Sequence, residues 1–115
     1  MNGVPVLLRH NRIRLALHEL RAGEGRPLLH LHGLGERSPS AVPEPLAPWP
    51  GPVWALDLSG HGDSDVAIGG GYFCEALMGD VDMAIAHLGS ITIYGRGLGV
   101  TTCTLAEALQ LFAAV

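Results

Sequence analysis

The sequence predicts an α/β protein whose sheet is mostly parallel and is opened by an antiparallel hairpin. Two β-prone runs, residues 4–8 and 13–20, are separated by the turn-forming pair His10-Asn11. Three shorter apolar runs follow, at residues 28–31, 53–56 and 91–94. A helical pattern separates the last two runs, and strands that alternate with helices are typical of a parallel sheet.

The individual runs indicate how each strand is buried. Ile13, Leu15 and Leu17 alternate with polar or small residues, which predicts a strand with one face in water. The runs at 28–31, 53–56 and 91–94 are largely apolar and too short for helices, so we expect all three to be buried strands of a parallel sheet.

The connections differ in helical content. Residues 38–52 include six prolines, so any helix there is short or broken. Residues 72–88 place Phe73, Leu77, Val81 and Ile85 four positions apart, which predicts an amphipathic helix ending at Gly89. A further helix is predicted from Leu98 onward.

Composition limits the class of protein. The chain has 115 residues, 48% hydrophobic and 16% charged, with a net charge of −4, and its seven basic residues are all arginine. This describes one domain or part of one, and the unclustered, mildly acidic charge argues against nucleic-acid binding. The mean hydropathy of +0.30 is high for so short a chain and indicates a core buried on both faces of the sheet.

Targeting features are also missing from the sequence. No apolar run approaches the roughly 18 residues of a membrane span, and no charged stretch precedes an apolar core at the N-terminus. Cys74 and Cys103 form no disulfide framework and are expected to be reduced thiols. We therefore expect a cytoplasmic protein that does not bind membranes.

Three glycine-containing turns follow the three short apolar runs, where open α/β sheets place their sites. The first is His32-Gly33-Leu34-Gly35. The second runs from Asp57 to Ser64 and includes Gly60, His61 and Gly62. The third is Gly95-Arg96-Gly97-Leu98-Gly99. One such turn is ordinary, but their order and spacing together are specific.

This set of turns resembles the α/β-hydrolase superfamily from about Val4 to the end of the chain. The first turn is similar to the oxyanion loop of that family, and the second is similar to its strand-4 turn. The third turn lies at the position of the Gly-x-Ser-x-Gly nucleophile elbow. The resemblance implies that the amides of Leu34 and Leu98 are the oxyanion-hole donors.

The sequence departs from the family pattern at the catalytic centre. Gly97 stands where the family carries a nucleophile, usually serine, so the turn can form while the chemistry is lost. In the family, the triad acid and histidine follow the elbow by further strands. We therefore expect residues 1–115 to be a truncated hydrolase domain without the later strands, the cap, the acid and the histidine.

The resemblance also sets the expected function and partners. Longer relatives hydrolyse esters, epoxides or similar small molecules with water and no cofactor, whereas this chain is expected to have no hydrolytic turnover. The alternative is a non-catalytic module that binds a small ligand or a partner chain. If the 91–94 strand has an uncovered edge, that edge favours self-association or a complementing chain.

Several other interpretations of the same residues are less favoured. A metal site would use His30, His32, Asp57 and His61, and a dinucleotide site would use the Gly95–Gly99 turn, although Val100 replaces the final small residue. Arg96 could bind an anion. Replacement nucleophiles would come from hydroxyl or thiol groups nearby, namely Ser59, Ser64, Thr101, Thr102 and Cys103.

Overall fold

The computed structural model describes residues 4–10, 13–33, 35–66 and 74–95. These ranges contain β1 (Val6–His10), β2 (Ile13–Arg21), β3 (Leu28–Leu31), β4 (Val53–Leu56), α1 (Cys74–Leu88) and β5 (Thr92–Gly95). The proline-rich segment forms one 3-10 turn, Glu44–Leu46. The predicted helix after Leu98 lies outside the described residues.

The strands form a single mixed sheet in the order β1-β2-β4-β3-β5. β1 pairs antiparallel with β2, and β2 pairs antiparallel with β4. β3 lies between β4 and β5 and is parallel to both. The predicted fold class, a mostly parallel sheet opened by an antiparallel hairpin, is confirmed.

β3 and β4 have the expected boundaries, whereas those of β1, β2 and β5 differ by one or two residues. β1 begins at Val6 rather than at residue 4, after Pro5, which has no N–H to donate to a ladder. β2 extends to Arg21, which pairs with Val53 beyond an irregularity in the register. β5 is shifted by one residue because the Thr92 amide continues the ladder by donating to the carbonyl of Pro27 at 2.9 Å.

Each face of the sheet has its own apolar cluster. Leu15, Leu17, Leu29 and Leu56 belong to the larger cluster, against which α1 packs Val81 and other residues. The smaller cluster brings the proline-rich segment against the sheet through Leu46 and other apolar residues. β3 is therefore buried along its whole length, His30 included, as its short and largely apolar run predicts.

Two expectations about exposure were only partly correct. Ala16, on the face of β2 expected to be wet, is fully buried because the turn after β4 folds over it. In β5, Ile93 is buried but Tyr94 is 41% exposed. The helix stop was predicted correctly: α1 ends at Leu88, and Gly89 follows with φ +84.

Candidate functional site

The carboxyl ends of β3, β4 and β5 lie side by side at one edge of the sheet. Leu31, the last residue of β3, is in register with Leu56 at the end of β4 and with Gly95 at the end of β5. The chain passes from β3 to β4 on one side and later adds β5 on the other, so the strand order reverses at β3. Open α/β sheets bind ligands at such a point, outside the carboxyl ends. The three predicted turns therefore start where a ligand site is expected.

His32 joins the end of β3 to the turn after β4. It is buried, and its Nδ1 lies 2.7 Å from the carbonyl oxygen of Gly33, which can only accept, so Nδ1 carries the proton. Nε2 then accepts the amide of Leu58 at 3.0 Å. Burial lowers the pKa of His32 and outweighs the opposite effect of its hydrogen bond to Gly33. His32 is thus a neutral imidazole that uses both nitrogens on backbone groups.

The loop that follows β3 is closed by short internal hydrogen bonds. The Gly33 amide donates to Oε1 of Glu36 at 2.7 Å, and the Glu36 amide donates back to the Gly33 carbonyl at 3.1 Å. Gly35 has φ +76, a left-handed conformation that favours glycine. Leu34, the predicted oxyanion-hole donor, lies outside the described residues.

His61 connects this loop to the turn after β4. Its Nδ1 lies 2.9 Å from the carbonyl oxygen of Ser59, so Nδ1 is again the protonated nitrogen. Its Nε2 accepts the amide of Gly35 at 3.0 Å. The rings of His61 and His32 are tilted against each other with centroids 4.7 Å apart. Two neutral imidazoles in the same tautomer therefore hold the loop and the turn together.

Asp57 is a second connection between the same two segments. The side chain is fully buried, its Oδ1 accepts the Ser38 amide at 2.9 Å, and its Oδ2 accepts the Asp63 amide at 2.9 Å. Nε2 of His18 on β2 lies 2.7 Å from Oδ2. Burial by itself raises the pKa of Asp57, but these hydrogen bonds outweigh it and hold the pKa below its ordinary value of 3.8.

Two glycines of the second motif allow the turn to close around Asp57. Gly62 has φ +50, and a Cβ at this position would lie only 2.3 Å from Oδ2 of Asp57. Gly60 has φ +79, and its amide donates to the carbonyl of Asp65. The Gly-x-Gly spacing is therefore explained by backbone conformation and by close approach to the carboxylate.

The two serines of this turn are used to hold it in place. Ser64 Oγ accepts the amide of Ala16 at 2.9 Å and donates to the carbonyl of Asp57. Ser59 donates both its amide and its hydroxyl to Oδ2 of the buried Asp80 on α1, at 2.9 and 2.7 Å. Both hydroxyl groups are thus committed to structural hydrogen bonds.

The metal site considered from the sequence is not formed by the described residues. His32 and His61 spend their ring nitrogens on backbone groups, and His30 stacks on Tyr94 with centroids 5.8 Å apart. In the described part of the chain, the one group of three ligand types within 4.8 Å is His18, Asp57 and Asp63.

The atoms of that group are already hydrogen-bonded to one another or to neighbouring donors. The proton on His18 Nε2 already lies between the ring and Asp57, with Asp63 Oδ2 at 3.7 Å. The other oxygen of Asp63 faces the guanidinium of Arg37 at 3.2 Å. The facing oxygens of both carboxylates are therefore already engaged by N–H groups of His18, of the backbone and of Arg37.

The fold matches solved structures over nearly the whole chain. A thioesterase domain from the curacin biosynthetic pathway matches with a TM-score of 0.82 and 22% identity, over 96% of this chain and 42% of that one. An epoxide hydrolase from Vigna radiata matches with a TM-score of 0.75 and 21% identity, over 95% of this chain and 36% of that one. A hypothetical protein from Pseudomonas aeruginosa PAO1 matches with a TM-score of 0.76 and 29% identity, over 93% and 39%. The chain has the α/β-hydrolase fold.

The likeness to hydrolase-fold proteins is structural rather than evident from sequence matching. No protein-family model matches the sequence, and no curated protein matches it either. The chain spans between 36% and 42% of the length of these three hydrolase-fold structures. No helix in the part of the chain that the structure describes is long and apolar enough to cross a membrane.

The structure describes most of the first two hydrolase-fold motifs but only the first residue of the third. The first two turns are described except for Leu34. Of the elbow, Gly95 ends β5, and the rest lies outside the described residues: Arg96, Gly97, Leu98 and Gly99. The sequence reasoning missed the partners His18, Glu36 and Asp80. Of these three residues, only Asp80 could have been noticed in the sequence, because it is an acidic residue next to Val81 in the apolar stripe of the helix.

Proposed function

We propose that this chain is an α/β-hydrolase-fold protein that does not hydrolyse substrates through a covalent intermediate. The observation that carries the proposal is Gly97, which stands at the nucleophile position two residues after β5 ends. Glycine has no side chain to attack a carbonyl or epoxide carbon. Removal of a triad nucleophile has cost about a millionfold in kcat in a well-studied protease.

The described side chains at the carboxyl ends of β3 and β4 support the proposal. The hydroxyls of Ser59 and Ser64 donate to Asp80 and to the Asp57 carbonyl. The Nδ1 protons of His32 and His61 are donated to carbonyls, and their Nε2 atoms accept amides. One of these hydrogen bonds would have to break before any of these groups could act as a hydrolytic base or nucleophile.

His18 is the other described histidine that pairs with a carboxylate, but it lies on a distant strand. β2 is three strand spacings from β5 in the sheet, roughly 14 Å at about 4.8 Å per spacing. The His18–Asp57 pair therefore stabilises the turn after β4, three strand spacings away from β5.

The expected ligand class follows from the fold and from the similar proteins. The similar solved structures include a thioesterase domain, an epoxide hydrolase and a membrane phospholipase A. For this chain we propose an ester-like or epoxide-like small molecule at the carboxyl ends of β3 and β5, with no cofactor. Binding there relies on backbone donors, which do not depend on the residue at position 97.

A hydrolysis assay tests the proposal directly. With a nitrophenyl ester, we expect the purified chain and the Gly97→Ala variant to release nitrophenol at the rate of buffer alone. Turnover that Gly97→Ala leaves intact would reveal another nucleophile and overturn the proposal.

Gly97→Ser tests whether the rest of the machinery is present. We expect no gain in ester hydrolysis, because the ring nitrogens of His32 and His61 are already hydrogen-bonded and a serine would stay protonated. The circular dichroism spectrum checks that the variant folds. Substantial rescue would mean that a base reaches the elbow, and His32 and His61 would be the first to substitute.

The second candidate function is a non-catalytic module that binds a small ligand or a partner chain. The first two turns are held together by many hydrogen bonds, so the surface at the point where the strand order reverses is already formed before a ligand binds. This preorganisation favours a binding module. Saturable binding of a non-hydrolysable ester analogue, measured by calorimetry without turnover, would support this function. Absence of binding to any ester or epoxide analogue would count against it.

A further inference from the structure

In the described part of the chain, β1 pairs along one edge only, with β2. Two residues of β2, Arg14 and Ala16, direct their backbone groups away from β1. The Arg14 amide donates to Oδ2 of Asp65 at 2.8 Å, and its carbonyl accepts the Asp65 amide at 2.8 Å. The Ala16 carbonyl accepts the amide of Asp57 at 3.0 Å. Arg14 and Ala16 therefore belong to non-hydrogen-bonded pairs of the β1–β2 ladder.

The partners of these two residues on β1 point outward. Leu7 is in register with Ala16, and Arg9 is in register with Arg14. The two residues of a non-hydrogen-bonded antiparallel pair direct their N–H and C=O groups away from each other. The N–H and C=O groups of Leu7 and Arg9 therefore lie on the outer edge of β1. They are two residues apart, which is the spacing that the ladder of an added strand requires.

The side chains of β1 divide between the core and the solvent. Leu8 is buried in the larger cluster, with Val6 packed against it. Leu7 and Arg9 project from the opposite face of the sheet, where Leu7 is 54% exposed and Arg9 is also exposed. An added strand would cover part of the Leu7 side chain with a side chain of its own.

The charge beside this edge is positive, although the whole chain is acidic. Arg9 and Arg14 are cross-strand neighbours of like charge, an arrangement that destabilises a sheet. Hydrogen bonds from Arg14, and to a smaller extent the charge of Arg9, hold the pKa of Asp65 below its ordinary value of 3.8. Among the described residues, this ion pairing joins two guanidinium groups to one carboxylate. A second carboxylate beside Arg9 would balance the remaining charge.

The position of α1 favours a single added strand over a second copy of the chain. α1 packs against β1 in the cluster that contains Leu8 and Val81. A second copy paired through its own β1 would bring another α1 to the same face, with the two strands about 4.8 Å apart. Packed helices need about 8–10 Å between their axes. An extended peptide brings no helix and meets no such obstacle.

We propose that the outer edge of β1 binds an extended segment of another protein, with an apolar side chain beside Leu7 and a carboxylate beside Arg9. Hydrogen bonds to the backbone of Leu7 and Arg9 supply affinity, and the two side-chain contacts supply selectivity, as in other cases of strand addition. The edge is four strand spacings from β5, roughly 19 Å at about 4.8 Å per spacing. It is therefore separate from the ligand site proposed at the carboxyl ends of β3 and β5.

A synthetic peptide with blocked ends, Thr-Val-Thr-Glu-Thr-Val-Thr, tests the surface by NMR on the full chain. Its sequence is the same in both directions, so either strand orientation places Glu beside Arg9 and Val beside Leu7. At saturation we expect exchange of the Leu7 and Arg9 amides to slow about fivefold to tenfold, because each amide gains a hydrogen bond. The amide signals of β5 are expected to stay unchanged.

The matched control is the same peptide with Lys in place of Glu. We expect it to bind about threefold to tenfold more weakly, because an attractive charge pair at the surface becomes a repulsive one. In the Arg9→Glu variant, this preference is expected to reverse. Equal binding of the two peptides to both proteins would overturn the proposed partner chemistry.

Leu7→Pro removes the outward N–H and leaves the hydrogen bonds to β2 in place, which is tolerated on an edge strand. We expect this variant to lose peptide binding with an unchanged circular dichroism spectrum, whereas Leu7→Val keeps the N–H and is expected to bind. Two results would overturn the proposal. One is no slowing of exchange at Leu7 and Arg9 with the Glu peptide. The other is slowing without peptide that grows with protein concentration, which would assign the edge to a second copy.

Discussion

The turn after β4 holds the segment that follows β3 at two points that differ in chemistry. At one point the buried carboxylate of Asp57 accepts the Ser38 amide and a proton from His18. At the other point the half-buried, neutral ring of His61 accepts the Gly35 amide. The charged, buried acceptor gives stronger hydrogen bonds than the neutral imidazole does. The same pair of segments therefore has one stronger and one weaker connection.

The largest expected effect is on the stronger connection, at Asp57. Asp57→Asn replaces one acceptor oxygen with an NH₂ group that faces the donors of His18, Ser38 or Asp63. We expect a loss of about 3 kcal/mol in the free energy of unfolding, measured by urea denaturation, because buried donors lose a charged acceptor.

Asp63→Asn is the matched control for that substitution. It makes the same chemical change on a side chain that is 52% exposed and pairs with the exposed Arg37, so we expect a cost of about 1 kcal/mol or less. Equal costs for the two variants would mean that Asp57 is not the main connection.

The next effect concerns the glycine that packs against Asp57. Gly62→Ala adds a Cβ 2.3 Å from Oδ2 at φ +50, so the carboxylate must move. We expect a cost of about 2–3 kcal/mol in urea unfolding, of which about 1–2 kcal/mol is the strain of a left-handed alanine.

Gly25→Ala isolates that strain. Gly25 has φ +101 and no heavy atom within 4 Å of a Cβ position, so only the backbone cost remains. If Gly25→Ala costs as much as Gly62→Ala, the close approach to Asp57 contributes nothing.

The smallest effect is the pH dependence of stability from the buried imidazole. Because the folded-state pKa of His32 is lowered, the folded chain binds fewer protons than the unfolded chain below the ordinary value of 6.5. Stability is therefore full above that value and is lost as the pH falls toward the folded-state pKa, by at most about 1.4 kcal/mol per pH unit.

Urea midpoints at pH 7.5, 6.5 and 5.5 measure this slope, and His32→Gln is expected to flatten it. Asp57, whose pKa is lowered from 3.8, acts in a separate window: its contribution is full above that value and is lost only as the pH falls below it. A slope between pH 7.5 and 5.5 that His32→Gln leaves unchanged would assign it to another group.

Much of the fold could be predicted because its signals are local. β3 and β4 match the predicted runs to the residue, since each is a short apolar stretch with a proline before it and a polar residue after it. The end of α1 was predicted because a glycine after an amphipathic stripe is a common helix stop. The first strand of the hairpin begins two residues later than predicted, because the missing N–H of Pro5 outweighs the β-propensity of Val4.

The partners in the site could not be predicted in the same way, because they come from distant parts of the chain. Asp57 pairs with His18, 39 residues earlier, and Ser59 pairs with Asp80, 21 residues later. His18 was expected on a wet strand face, and nothing in its neighbours indicates that the turn after β4 would cover that face.

The sequence by itself determined the order of the strands along the chain, the three glycine-containing turns and the glycine at position 97. These follow from residue types and spacing alone. Only the tertiary structure decided which tautomer His32 and His61 adopt, which amides each accepts, and that Asp57 is a buried anion held by three donors. Those properties depend on which donors and acceptors lie within about 3 Å of each other, and in this chain the sheet brings them together from separate segments.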